Sequence, residues 1–134
     1  MKNAISTCGR NAGKIWIALN VHGPLKKSGI IEKTKLKEKD FYTALGWLAR
    51  ENKIYRDGQL YDLRETNLTS KIGTDAGKVW NFLNSQGKCN VSTITKMTEI
   101  KTQDAYSAIG WLAREDKIRI LKDKQIKYIL NYDL

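Results

Sequence analysis

The residues best suited to chemistry in this sequence are lysines, and they are concentrated between positions 26 and 39. A lysine ammonium is a compact point charge on a flexible stem, which suits phosphate groups better than the edges of bases. The cluster predicts a phosphate-binding surface, although a run of like charges is also typical of an ordinary solvated face. Its members are Lys26, Lys27, Lys33, Lys35, Lys37 and Lys39.

Further candidate nucleic-acid contacts lie at helix starts and in predicted hairpins. Lys14 and Lys78 fall near the start of a predicted helix, where a backbone phosphate would also meet helix N–H groups. Lys101 and Gln103 form a thinner counterpart of the lysine cluster in the second half of the chain. The predicted hairpins add Arg56, Arg119, Lys122 and Lys124.

Catalytic and metal-binding signatures are missing from the sequence. His22 is the single histidine, and Cys8 and Cys89 stand alone without a CxxC spacing. The sequence shows no nucleophile–base pair, glycine-rich phosphate loop or metal-ligand cluster. Glu51 and Glu115, which each follow an arginine, are expected to cap a helix or pair locally. We therefore expect a protein that is not an enzyme and needs no cofactor or metal.

The charge balance predicts a polyanionic partner. Among 134 residues, 24 are Lys or Arg and 14 are Asp or Glu, so the formal net charge is +10. Nucleic acid is the first candidate partner and an anionic membrane surface the second. Residues 1–64 carry 13 basic and 6 acidic side chains, a net +7, whereas residues 65–134 carry 11 and 8, a net +3. The first half is predicted to bind polyanions more strongly.

Localisation is predicted from what the sequence lacks. Residues 1–10 have no apolar segment typical of a signal peptide. No apolar run approaches the roughly 18 residues of a membrane span. Two isolated cysteines fit a reducing compartment. We expect a cytoplasmic, nucleoid-associated protein that is not inserted in a membrane.

The chain repeats itself with an offset of 64 residues. Residues 12–54 align with 76–118 without a gap, and 22 of these 43 positions are identical. The predicted domains are residues 1–64 and 76–134, joined by a polar linker at 65–75 that is partly wound into the next helix.

The first two helices of each copy are bounded by glycine and serine. The first is predicted over residues 12–22, with Gly23 ending it, as Gly87 does in the second copy. The second helix is expected to begin at Ser28, or Ser92, acting as an N-cap.

The third helix carries the clearest pattern. It is predicted to begin at Asp40 or Asp104 as N-cap and, in the first copy, to run to about Asn52. Its apolar stripe has the i, i+3, i+4, i+7 spacing of a buried helix face. The stripe consists of Phe41, Ala44, Leu45 and Leu48 in the first copy and Ala105, Ala108, Ile109 and Leu112 in the second.

A hairpin is predicted to close each copy. Residues 53–56 and 59–63 read as strands around Asp57-Gly58, a pair typical of a type I′ turn. The second copy has a longer tip at 122–124. Three helices followed by a hairpin predict a mainly α fold with small β-hairpins, a tandem winged helix-turn-helix with the third helix as recognition element.

Two segments resemble a known family. Gly-Lys-(Ile/Val)-Trp in the first helix and Gly-Trp-Leu-Ala-Arg-Glu in the third resemble a small family of winged-helix domains of uncharacterised function. The resemblance covers nearly the whole of each repeat and implies the winged-helix fold, with no established activity. Members are often single domains, some of them dimeric. Two fused copies would then supply in one chain what a dimer supplies elsewhere.

The outer face of the third helix supports two hypotheses. A DNA-reading face would use small or donor-bearing residues, because Arg binds guanine bidentately and Thr or Ser reaches bases or phosphates. Those residues are Thr43 and Arg50, with Ser107 and Arg114 in the second copy. The same face carries a glycine beside a tryptophan, which suits a contact between the repeats or with a second chain. That contact would use Tyr42, Gly46, Trp47, Tyr106, Gly110 and Trp111.

The leading functional hypothesis is a double-stranded-DNA-binding protein, nucleoid-associated or transcription-regulatory, with weak sequence preference. The alternative is a protein–protein adaptor that uses the Gly-Trp face of the third helices, and RNA binding is not separated from DNA binding. An un-neutralised lysine cluster continuous with the wing would favour DNA, whereas an exposed apolar patch confined to the third helix would favour an adaptor. Trp16 and Trp80 are expected in the core.

Overall fold

The computed structural model describes residues 2–132, so the predicted domain ends at Met1, Asp133 and Leu134 lie outside the described residues. The helices are α1 Ile5–His22, α2 Lys27–Thr34, α3 Glu38–Arg50, α4 Thr69–Gln86, α5 Val91–Thr98 and α6 Thr102–Arg114. The strands are β1 Lys2–Asn3, β2 Leu25–Lys26, β3 Tyr55–Asp57, β4 Leu60–Asp62, β5 Ile118–Lys122 and β6 Ile126–Leu130. The predicted fold class, mainly α with small antiparallel sheets in two tandem copies, is confirmed.

Each copy folds around its third helix. The predicted apolar stripe is buried in both α3 and α6, where Phe41, Ala44, Ala105 and Ile109 are fully covered. Helical spacing places these side chains on one face, and α1 and α4 pack against that face. The stripe prediction is confirmed.

The first helix of each copy is longer than predicted, beginning at Ile5 instead of Ala12 and at Thr69 instead of Ala76. The added turns bury Cys8 and Ile72, each against the core of the opposite copy. These turns are stabilised by burial against the other copy, so the helix propensity of their residues does not predict them. Most of the predicted linker is therefore helical, and the two copies exchange apolar contacts.

The N-caps differ from the prediction. The helices α2, α3 and α6 follow Lys26, Lys37 and Lys101 without a side-chain cap, and α5 is capped by Asn90, whose Oδ1 accepts the Thr93 N–H at 2.8 Å. The residues predicted as caps lie inside the first helical turns. These residues are Ser28, Asp40, Ser92 and Asp104.

The hairpin turn of the first copy also differs from the prediction. Asp57 belongs to β3 and pairs with Leu60, so the two turn residues are Gly58 and Gln59. Only Gly58 has a positive φ, +60°. A glycine at the first central position is what a type II′ turn requires, so the predicted type I′ pair is wrong.

The two sheets are built differently. In the first copy β2 pairs with β4 and β4 with β3. In the second copy a single bridge from Cys89 to Tyr128 takes the place of that first strand, and β1 pairs with the far edge of β5. The start of the chain therefore completes the sheet of the second copy, with Asn3 opposite Leu121.

The tryptophans of the first helices are less buried than predicted. Trp16 is 40% exposed, and Trp80 is half-buried. The buried face of α1 is centred on Ala12, Ile15 and Leu19, so Trp16 lies at its edge. The predicted core position is wrong for Trp16.

Candidate nucleic-acid interface

The third helices of the two copies pack directly against each other. A Cβ atom added at Gly46 would overlap the carbonyl oxygen of Ser107, and one added at Gly110 would overlap that of Thr43. Only glycine permits so close an approach of two helix backbones. The outer face of each predicted recognition helix is therefore covered by the other copy.

The hydroxyl groups predicted to read DNA form hydrogen bonds inside this contact. Thr43 is buried, and its Oγ1 donates to the Lys39 carbonyl at 2.8 Å. Ser107 is 5% exposed, and its Oγ donates across the contact to the Tyr42 carbonyl at 3.2 Å. Neither side chain can reach a base edge, so their assignment to DNA is wrong.

The arginines predicted to read DNA form reciprocal ion pairs between the copies. Arg50 Nε lies 3.1 Å from Glu115 Oε2, and Arg114 Nε lies 3.0 Å from Glu51 Oε2. Each guanidinium also lies over an indole of the opposite copy, at 5.7 Å for Arg50 and 5.8 Å for Arg114. Each glutamate also pairs locally as predicted, at 3.8 Å between Glu51 and Lys53 and at 3.5 Å between Glu115 and Lys117. Both arginine side chains are engaged between the copies but 46% exposed, so their base-reading role stays a prediction.

The Gly-Trp face is occupied by the contact between the repeats. Trp47 and Trp111 are half-buried and pack against the cores of both copies, with Tyr42 and Tyr106 at the side. This arrangement leaves the face unavailable to an external adaptor partner. The large exposed apolar side chains in the described residues lie elsewhere, among them Ile17.

A row of surface hollows runs between the two hairpins. It consists of three adjoining hollows: the first two share Tyr42 and Gln103, and the second and third share Lys39 and Tyr106. We call this row of hollows the furrow. Its cationic lining residues are Lys26, Lys27, Lys37, Lys39, Arg56, Lys101 and Lys122.

The furrow is strongly positive. Its seven cationic side chains face two acidic ones, Glu38 and Asp40. Lys27 is partly neutralised, because its Nζ lies 3.5 Å from Glu38 and donates to the Tyr42 hydroxyl at 3.2 Å. That hydrogen bond raises the pKa of Lys27, which therefore stays charged. Within the described residues, the remaining five furrow lysines form no ion pair.

Two helix N-termini open into the furrow. The helices α3 and α6 begin after Lys37 and Lys101, and neither start has a side-chain cap. The first N–H groups of a helix and its dipole attract anions. Backbone groups therefore reinforce the lysine charges at the middle of the furrow.

The hairpins supply the ends of the furrow. Arg56 in β3 lines the first hollow, where its Nε donates to the Gly58 carbonyl at 2.9 Å and its guanidinium lies 5.5 Å from the Tyr61 ring. Lys122 at the end of β5 lines the third hollow. Arg119 and Lys124 are exposed on the second hairpin outside this lining. The furrow therefore requires both copies.

The predicted lysine cluster is divided between two surfaces. Lys14 and Lys33 line a separate groove between α1 and α2, beside the exposed Ile17. Lys35 is exposed in a left-handed turn after α2, and Lys78 is exposed on α4. None of these four lysines lines the furrow.

Sequence reasoning missed several polar residues of the furrow. Ser28, Gln59 and Thr102 line it together with the predicted cations. What could have identified them is their position in the fold, because each lies in the first turn of a helix or at a hairpin tip. Residue type alone does not separate them from other polar side chains.

Comparison with known protein families supports the presence of two copies of one domain. Residues 1–64 and residues 65–131 each match the winged helix-turn-helix domain family DUF2582. The chain belongs to this family. The second match begins at residue 65, so the family domain includes the segment that wraps onto the first copy as the start of α4.

One relative of this chain is an uncharacterized protein. The winged helix-turn-helix chain is 38% identical over 63 residues to this protein of Methanocaldococcus jannaschii, covering 42% of the chain and 84% of the relative. No solved structure matches the chain. Within residues 2–132, no helix is long and apolar enough to span a membrane.

Proposed function

We propose that this tandem winged helix-turn-helix protein binds double-stranded DNA through the furrow, mainly by phosphate contacts. The observation that carries the proposal is a cationic lining that continues from one hairpin to the other across two helix N-termini. With the outer faces of α3 and α6 covered, binding depends on the backbone and not on base edges.

Weak sequence preference follows from this mode of binding. Phosphate contacts fix the position of a protein on the duplex but carry no sequence information. A nucleoid-associated or transcription-regulatory role fits such a binder, and seven cationic side chains line the furrow against two acidic ones.

Titration of a random-sequence duplex at several salt concentrations tests the proposal. If roughly 4–6 phosphates are neutralised, log K should fall against log salt with a slope of about −4 to −5. Absence of binding at about 50 mM salt would overturn the proposal. An RNA duplex bound as tightly as DNA would overturn the assignment to DNA.

Two matched double variants locate the binding surface. Lys37→Ala/Lys39→Ala removes two furrow charges, and Lys14→Ala/Lys33→Ala removes two charges from the groove between α1 and α2. Both variants lower the net charge by the same amount. We expect the furrow variant alone to reduce the salt slope, by about 2. Equal effects of the two variants would mean that net charge, and not the furrow, drives binding.

A further inference from the structure

The second copy contains an ion cluster near the contact between the copies, in which the Lys71 side chain is 62% exposed. Lys71 Nζ lies 2.8 Å from Asp75 and 3.5 Å from Asp104. The Asp75 side chain is 5% exposed, and these hydrogen bonds raise the pKa of Lys71, with the one to Asp75 contributing most. One ammonium group therefore bridges a buried carboxylate on α4 and a second carboxylate on α6.

The equivalent position in the first copy lacks that ammonium group. Sixty-four residues earlier the chain has Thr7, Asn11 and Asp40. Thr7 is too short to bridge α1 and α3, and Asn11 is 8% exposed. Within the described residues, the Asp40 carboxylate has no ion pair.

A cavity of about 130 Å³ occupies this place. Its polar side is formed by Thr7, Asn11 and Asp40, and its apolar side includes Cys8 and Ile120. Burial, followed by the negative charge of Asp40, raises the pKa of the Cys8 thiol to about 11. The thiol therefore stays neutral and acts as an apolar wall.

Positive charge surrounds the same cavity. Lys37, Lys39 and Lys122 all contribute to its lining, the first two from the start of α3 and the residue before it, and the third from the hairpin of the second copy. The cavity thus combines one carboxylate, three ammonium groups and an apolar wall. It exists only where the first copy meets the sheet of the second.

We propose that this cavity binds a small α-amino acid with an apolar side chain. Its ammonium group takes the position that the Lys71 ammonium holds in the second copy, next to Asp40 and the Asn11 amide oxygen. Its carboxylate pairs with the lining lysines, and its side chain packs on Cys8 and Ile120. This cavity is the third hollow of the furrow, so Lys37, Lys39 and Lys122 serve both proposed ligands, but L-valine binding is measured without DNA.

The size of the cavity agrees with this ligand class. A cavity of about 150 Å³ holds a benzene molecule, so 130 Å³ accommodates roughly six to eight non-hydrogen atoms. A purely anionic ligand would leave Asp40 unpaired, and a purely cationic one would face three lysines. A zwitterion satisfies both sets of charges.

Isothermal titration of the full chain with L-valine, isobutylamine and isobutyrate tests the proposal. L-Valine should bind with one molecule per chain. The amine, which lacks the carboxylate, and the acid, which lacks the ammonium group and the carbon that carries it, should bind at least about tenfold more weakly. Absence of saturable L-valine binding up to about 10 mM would overturn the proposal. So would an affinity for isobutyrate equal to that for L-valine.

A designed replacement tests the origin of the cavity. Thr7→Lys/Asn11→Asp copies the second-copy cluster into the first, so the new ammonium should pair with Asp40 and occupy the site. L-Valine binding should disappear while the melting temperature rises on the order of 2–4 °C. Unchanged L-valine binding by a natively folded double variant would overturn the proposal.

Two further variants serve as controls. Lys71→Thr/Asp75→Asn removes the cluster of the second copy and should leave L-valine binding to the first copy unchanged. Asp40→Asn should weaken L-valine about tenfold or more and leave isobutyrate affinity unchanged, even if the Thr7 variant fails to fold. Loss of both affinities in Asp40→Asn would contradict the assignment of the ammonium position.

Discussion

The two copies have nearly the same residues in the contact between them and different residues on their outer surfaces. The Gly-Trp-Leu-Ala-Arg-Glu segment is identical in both, and residues 50 and 51 of the first pair with residues 115 and 114 of the second. In a two-fold contact, residue i meets j while j meets i, so both copies need the same residues there. The motif that suggested a DNA-reading helix is thus explained by mutual packing.

Outside this contact the copies diverge. The first copy carries a net +7 and the second +3, and the exposed Ile17 and Val21 of α1 correspond to Asn81 and Ser85 in α4. The ion cluster around Lys71 has no counterpart at Thr7. Duplication therefore preserved a symmetric centre while the outer surfaces became different, and the furrow combines the two unlike surfaces.

The largest predicted effect on stability comes from substituting the glycines at the contact between α3 and α6. Gly46→Ala should lower the free energy of unfolding by more than about 3 kcal/mol, because its Cβ meets backbone that cannot rotate away. Gly110→Ala should have a similar effect, since it meets the opposite helix in the same manner. Urea denaturation followed by circular dichroism measures both.

Gly77→Ala is the matched control. Gly77 also lies within a helix, but apart from its chain neighbours and the backbone of its own helix, no atom lies within 4 Å of an added Cβ. This substitution should stabilise the protein by up to about 1 kcal/mol, the usual helix preference for alanine over glycine. A Gly46→Ala protein as stable as Gly77→Ala would refute the close packing of α3 and α6.

A smaller effect is predicted at the reciprocal ion pairs. Arg50→Ala and Arg114→Ala should each destabilise the protein by about 1 kcal/mol, because each arginine side chain is 46% exposed and its ion pair is screened by solvent. Double-mutant cycles with Glu115 and Glu51 isolate the pairwise contribution. The two cycles should agree within about 0.5 kcal/mol, and a clear inequality would contradict the two-fold contact.

Cysteine reactivity distinguishes the two copies without destabilising either. With its pKa raised to about 11, Cys8 is almost entirely a protonated thiol at pH 8, and burial also raises the pKa of the less enclosed Cys89. Iodoacetamide should modify Cys8 more slowly than Cys89 in the native protein, and both at similar rates in guanidinium. Peptide mass spectrometry gives the two rates, and equal native rates would place Cys8 outside the core.

Local pattern was enough to predict the third helices with their core faces and the end of the first helix. The apolar residues from Phe41 to Leu48 recur with the period of a helix. The residue that ends the first helix needs a positive φ, which Gly23 adopts readily. Both features can therefore be predicted from the local sequence. The added turns containing Cys8 and Ile72 cannot, because their burial depends on the opposite copy.

Contacts between the copies, which the local sequence does not show, also explain why some site residues were misassigned. A helical wheel shows that Thr43 and Ser107 point away from the core of their own copy, but it does not show what covers them. The lysine cluster was likewise contiguous in sequence, while the turn at Lys35 sends Lys33 and Lys37 to different surfaces. Residue types predicted the chemistry, and the tertiary contacts decided which residues share a surface.

Chemical shifts of backbone amides and arginine Nε–H groups, followed while a random-sequence duplex is added, map the DNA-contact surface directly. Shifts should be largest around the furrow, at Lys39, Arg56 and Gln103. The Nε–H signals of Arg50 and Arg114 should stay in place, since both groups remain paired between the copies. Large shifts of those two signals, with none in the furrow, would mean that the third helices separate and read DNA themselves.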